Sequence, residues 1–147
     1  RVKTIERTNL KNCAFEEIYS ENEPIADLLV SDLSFISLTK VLPNLKNLLS
    51  PDFHEMILLI KPQFEAGKEK VEKGGVVRDK KVHQEVIENV INCAKELNYS
   101  INDLTFSSIK GPSGNIEYLI WLSSHNENKA TLDIKNIVET AFEILNK

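Results

Sequence analysis

The 147-residue sequence predicts an α/β domain, with a largely parallel sheet that ends in an antiparallel hairpin and helices on both faces. Three observations predict it. Two short, mostly apolar runs, residues 26–31 and 56–60, read as strands buried on both faces. Each is followed, directly or after a loop, by apolar residues at helical spacing. Two further strand-like segments, 101–108 and 116–123, flank a turn rich in glycine and proline, the pattern of a hairpin.

Residues 2–6 read as a short first strand, and 7–24 as an irregular stretch with a helical turn near 15–19. After the strand at 26–31, Leu38, Val41, Leu42, Leu45, Leu48 and Leu49 recur at helical spacing and predict a helix over 37–49. Pro43 costs that helix little if it falls in the first turns. Pro51 and Asp52 make a turn into the second buried strand, which ends at Lys61-Pro62. Proline disfavours the helical region for the residue before it, so Lys61 is held extended at the strand tip. Residues 63–78 carry few apolar anchors and read as a long substrate-side loop, with a solvated linker as the alternative. Asp79 is a good N-cap for a helix running to about Leu97. The hairpin follows, then a polar loop, and residues 132–145 give a last amphipathic helix.

Composition bounds the function without choosing it. A chain that is 41% hydrophobic and 27% charged has a usable core, and its formal charge of -4 neither demands nor forbids a nucleic-acid partner. Cys13 and Cys93 form no CxxC pair and read as reduced, which fits a cytoplasmic protein. No apolar run approaches the ~18 residues that a bilayer span needs, so no membrane partner is expected. His54, His83 and His125 lack metal-ligand spacing and suit surface or helix roles, so no metal is expected. Because the chain opens on Arg1 and its one methionine is Met56, it reads as a piece of a longer protein.

Three strand ends carry one ionisable residue each: Asp32 and Lys61 close the two parallel strands, and Glu117 opens the last one. If the last strand runs antiparallel beside the other two, these groups meet at one sheet edge, the edge where open α/β sheets bind ligands. An amine between two acids there has the makings of a reaction centre. Each residue taken singly is equally a strand end meeting water; the three together carry the argument. Gly111 and Gly114 read as turn glycines that set how Glu117 enters the edge. Lys68, Lys70, Lys73 and Arg78 are candidates for RNA phosphates, although Glu69 and Glu72 among them also suit a solvated face.

A parallel sheet closed by a reversed strand is the layout of Rossmann-like methyltransferases, an analogy of fold alone. Four segments carry a closer likeness: Asp27-Leu28-Leu29-Val30-Ser31-Asp32-Leu33-Ser34-Phe35-Ile36-Ser37-Leu38, Leu59-Ile60-Lys61-Pro62-Gln63-Phe64-Glu65-Ala66-Gly67, Gly75-Val76-Val77-Arg78-Asp79 and Lys110-Gly111-Pro112-Ser113-Gly114-Asn115-Ile116-Glu117. In this order they resemble the TlyA, or hemolysin A, family, whose members carry an FtsJ-like methyltransferase domain. The resemblance runs over nearly the whole chain.

It implies methyl transfer from S-adenosylmethionine to a ribose 2'-hydroxyl of ribosomal RNA, within a Lys-Asp-Lys-Glu tetrad. Asp32 matches the family's aspartate, Lys61 its second lysine and Glu117 its glutamate. The first lysine, the glycine-rich loop and the acidic residue that hold the cofactor have no counterpart here. The expected fragment, residues 1–147, is thus a single FtsJ-like domain that lacks its N-terminal cofactor-binding strands and an upstream S4-like RNA-binding domain, and is inactive alone. Lys61 would accept or orient the hydroxyl proton. Glu117 would hold Lys61 and the ribose, and Asp32 would face the cofactor and the absent lysine. Glu6, Thr8 and Asn9 follow the first predicted strand, where this fold brings side chains to the adenine. The ribosomal subunit is the expected partner. Removing the first strands would also expose the edge of the strand at 26–31, so self-association along it is expected, or re-pairing of residues 2–6 against it. Two alternatives stand beside the enzyme: a non-catalytic Rossmann-like RNA-binding module, and a membrane-active hemolysin, which the strand-sized apolar runs disfavour.

Overall fold

The computed structural model describes residues 2–125 and 131–147. Arg1 and most of the polar loop expected after residue 123 lie outside them. The elements run α1 (Phe15–Ile18), β1 (Leu28–Ser31), α2 (Leu38–Asn47), β2 (Glu55–Ile60), α3 (Pro62–Glu65), α4 (Lys80–Glu96), β3 (Ser100–Phe106), β4 (Tyr118–Ser123) and α5 (Ile134–Leu145). Local chemistry accounts for the helix starts. Ser37 accepts from Thr39 N–H at the head of α2, Asp79 from Lys81 N–H at α4, and Asp133 from Asn136 N–H at α5. Pro43 falls in the second turn of α2, which leaves the Thr39 carbonyl without its helical donor; the Cys93 thiol donates to it at 3.8 Å.

The sheet order is β1-β2-β4-β3, with β1 parallel to β2 and both other pairings antiparallel. This corrects the largely parallel sheet. Although β1, β2 and β3 point the same way, β4 inserts between β2 and β3, so two of the three ladders are antiparallel. Residues 2–6, expected as a strand, belong to no element, and Val2 is almost fully exposed. The long loop at 63–78 is shorter than expected, because α3, a single 3-10 turn at Lys68–Lys70 and a Glu72–Val76 bridge take up much of it.

The helices expected on both faces are also corrected. On one face Met56, Leu58, Ile60, Tyr118, Ile120 and Leu122 are fully buried under the layer of α2, α4 and α5. Each such buried aliphatic side chain contributes about 1.5–3 kcal/mol. On the other face Leu28, Val30, Ile57, Leu119 and Trp121 stay open, Val30 at 72% exposure, so β1 is not the doubly buried strand its composition suggests. The physical reason is handedness. The crossovers β1-α2-β2 and β2-α4-β3 advance across the sheet in the same direction, so right-handed connections put both helices on one side.

Candidate active site at one edge of the sheet

The ends of β1 and β2 and the start of β4 share one edge, and β2 lies between the other two. Ile60 pairs with Tyr118, so Lys61 and Glu117 occupy the next opposed positions. Ser31 pairs with Leu58, which sets Asp32 level with Leu59, roughly 7 Å short of Lys61 along the strand. The long lysine side chain spans that offset.

Lys61 is extended, with Pro62 opening α3 directly after it. Its Nζ lies 2.5 Å from Asp32 Oδ1 and donates to Ser34 Oγ at 3.1 Å. The Lys61 side chain is 11% exposed and that of Asp32 69%, so a nearly buried amine meets an acid standing in solvent. Glu117 is 6% exposed, and its Oε1 accepts from Gln63 Nε2 at 2.9 Å. Among the described residues no ion pair joins Glu117 to Lys61; the two face one cleft of about 450 Å³, together with Gln63, Phe35, Phe64 and Ser113. The amine therefore has one acid as its partner, and the second acid is held by an amide.

Several residues that shape this cleft were not legible in the pattern. Gln63 is one, and its own Oε1 is buried without a hydrogen-bond partner. Phe35 is another. It holds a positive φ of 63°, is 90% exposed, and sets its ring 4.9 Å from that of Phe64. An aromatic residue in that conformation carries strain on the order of 1–3 kcal/mol, and such strain clusters at ligand sites. An aromatic side chain in the short loop just after a strand tip was the available signal. Glu65 accepts from Leu38 N–H at 2.7 Å and from the Ser37 hydroxyl at 2.6 Å, tying α3 to the head of α2; burial raises its pKa against those hydrogen bonds.

On the far wall, buried Asn115 accepts from Val77 N–H at 3.0 Å and donates to the Gly75 carbonyl at 2.8 Å. His83, fully buried, engages the Val77 carbonyl through Nε2 at 2.8 Å, so its Nδ1 accepts the Tyr118 hydroxyl at 2.9 Å. The loop before α4 is thus pinned from two sides, one residue along from Glu117. Burial holds the His83 imidazole below its ordinary range, and it also holds the Tyr118 hydroxyl protonated well into the alkaline range. The unfolded chain therefore takes up the His83 proton first as pH falls from about 6.5. Stability should be flat above that value and decline below it. Urea midpoints between pH 7.5 and 5 check this, and a His83→Gln variant should show a flatter profile.

A carbonless space completes the wall. A Cβ placed on Gly111 would lie 2.6 Å from Glu117 Oε1. Gly114, with φ near 90°, takes the turn conformation that other residues rarely adopt.

The remaining candidates do not gather at the cleft. Thr8 donates to the Glu6 carbonyl at 3.2 Å and Asn9 accepts from Lys11 N–H at 3.0 Å, so these side chains serve their own exposed turn. None of these residues, nor Asp32, lines the cleft of Lys61 and Glu117. Lys70 is paired with Glu85 at 2.5 Å and Arg78 with Glu72 at 2.8 Å, while Lys68 and Lys73 are exposed. No cluster suited to a metal ion occurs among the described residues. His54 is buried and bridges the Ser50 carbonyl and the Tyr99 hydroxyl, rather than lying at the surface. Both cysteines are free. No helix among the described residues is long and apolar enough to cross a membrane.

The sequence profile of the FtsJ-like methyltransferases matches residues 1–124. The chain is 41% identical over 127 residues to the 16S/23S rRNA (cytidine-2'-O)-methyltransferase TlyA of Mycobacterium tuberculosis, a match that covers 86% of this chain and 46% of that protein. It is 41% identical over 120 residues to Hemolysin A of Brachyspira hyodysenteriae, covering 81% and 48% respectively. A solved structure from Streptococcus thermophilus, described as a candidate hemolysin, superposes with a TM-score of 0.87 at 33% identity, over 99% of this chain and 52% of that one. The chain spans about half the length of the curated relatives it matches.

Proposed function

The chain belongs to the FtsJ-like methyltransferase family, in its TlyA/hemolysin group, and on that premise we propose that it is the catalytic part of an rRNA ribose 2'-O-methyltransferase. The observation that carries this reading is the nearly buried Lys61 amine, held by Asp32 and Ser34 in the cleft that also contains Glu117. A ribose hydroxyl is a very weak acid, so its attack needs close placement and a group to take or orient its proton. Lys61 Nζ has that task, Glu117 positions the ribose, and the Phe35–Phe64 pair offers an apolar face to the base.

Members of this family depend on S-adenosylmethionine, which supplies the methyl group when bound. Asp32, Glu6, Thr8 and Asn9 are the residues of this chain that would face it, and none of the four lines the cleft that holds Lys61 and Glu117. We therefore read residues 1–147 as one incomplete FtsJ-like domain, inactive alone, whose partner is the ribosomal subunit. The bare sheet face and the relatives' greater length support this. In isolation the chain would associate with itself along the open edge of β1; a monomer by light scattering removes that part of the reading.

The test is ribose methylation of rRNA from cells that lack the complete gene product, mapped by mass spectrometry. A methylated ribose that disappears with the gene and returns with it is the expected result. An unchanged rRNA would favour the non-catalytic RNA-binding module.

A further inference from the structure

A second groove lies across the 111–114 turn from the cleft. Its volume is about 520 Å³, and Ser113 of that turn lines both cavities. We propose that this groove binds a backbone phosphate of the RNA strand next to the methylated nucleotide, through Arg78 and Lys110. The proposal rests on RNA being the substrate.

Charge is the first argument. The chain as a whole is acidic, yet the residues lining this groove include two cations, Arg78 and Lys110, with Ser113 and Asn146 as neutral polar groups and no carboxylate. Lys110 Nζ donates to the amide oxygen of Asn146 at 2.7 Å, a neutral partner, and no carboxylate among the described residues pairs with it. Among the described residues Arg78 has one carboxylate contact, to Glu72, through one arm of a guanidinium that carries five donors. A planar fork with free donors beside an ammonium suits a phosphodiester.

Rigidity is the second. Val77, next to Arg78, is held by Asn115 at its N–H and by His83 at its carbonyl, both buried. Gly111 N–H bonds the Asn115 carbonyl at 2.9 Å, which ties the turn after Lys110 to the same residue. The backbone that carries the two cations is therefore fixed before any ligand arrives, and less ordering accompanies binding. The basic residues of the preceding loop differ in this. Lys70 is neutralised by Glu85, and Lys68 and Lys73 stand among Glu69 and Glu72.

The experiment is fluorescence-anisotropy titration of a labelled single-stranded RNA 12-mer with this 147-residue chain, repeated over a range of KCl concentrations. Each phosphate contact contributes about 0.7 to the slope of log affinity against log salt on single strands. Arg78→Ala and Lys110→Ala should each flatten the slope by about that amount, and together by about 1.4, whatever the RNA sequence. Lys95→Ala, at the exposed far end of α4, should leave it unchanged, and circular dichroism should show all variants folded. Unaltered slopes in both groove variants, or no salt-dependent RNA affinity in the wild-type chain, would overturn the proposal. Because the measurement needs no methyl transfer, it can fail while the methyltransferase reading stands, or succeed while that reading falls.

Discussion

Lys61→Ala is expected to lower ribose methylation by the complete gene product about 10²–10⁴-fold, the range usual for losing a positioned proton-handling group. Its effect on stability should be small. The partner left behind is Asp32, which is 69% exposed and is rehydrated rather than stranded as a buried charge. Lys61→Arg separates two roles, because a guanidinium holds a hydroxyl in place but does not accept its proton. An arginine variant as inactive as the alanine one assigns proton acceptance to Lys61; partial activity assigns orientation. Transfer of a labelled methyl group to rRNA, alongside thermal melts, provides both readouts. Full activity of Lys61→Ala would remove the residue from the chemistry.

Gly111→Ala is expected to cost about 10²-fold in methylation although it adds one methyl group outside the reacting atoms, since a misplacement near 1 Å has that consequence. The new Cβ would stand 2.6 Å from Glu117 Oε1 and 3.1 Å from its Cδ. The turn cannot easily retreat, because Gly111 N–H is bonded to the Asn115 carbonyl and its own carbonyl accepts from Gly114 N–H at 2.8 Å. The carboxylate moves instead and gives up the Gln63 amide. Gly111 is not among the residues at positive φ, so the alanine meets a contact rather than a backbone penalty. A double-mutant cycle isolates that contact: adding Glu117→Ala should recover the stability that Gly111→Ala loses, with strong non-additivity. Additive losses in the melting temperatures would show that Gly111 and Glu117 do not touch.

Much of the fold was legible in the pattern of residues. The helix that opens at Asp79 starts where the capping signal places it, and the turn near Phe15, the helix after Ser37 and the final hairpin all form. Two layers of the architecture were not. Residues 26–31 and 56–60 have the composition of doubly buried strands, yet composition records only that apolar side chains seek cover, and α2, α4 and α5 all lie on one side. The insertion of β4 between β2 and β3 was equally hidden, since strand order depends on which edges meet in space.

The candidate site divides along the same line. That Asp32 and Lys61 end strands, that Glu117 precedes one, and that Pro62 keeps Lys61 extended are properties of short stretches of chain; periodicity, capping and proline sterics act over a few residues, so the sequence alone determined them. That the amine pairs with the exposed acid while Gln63 takes the buried one, that Phe35 leans on Phe64, and that a missing Cβ at Gly111 makes room for Glu117 were decided by the tertiary structure. These contacts join residues from about thirty to more than fifty positions apart, with the turn at Gly111 set against Glu117, and their distances depend on how the sheet and its loops pack rather than on any local preference of the chain.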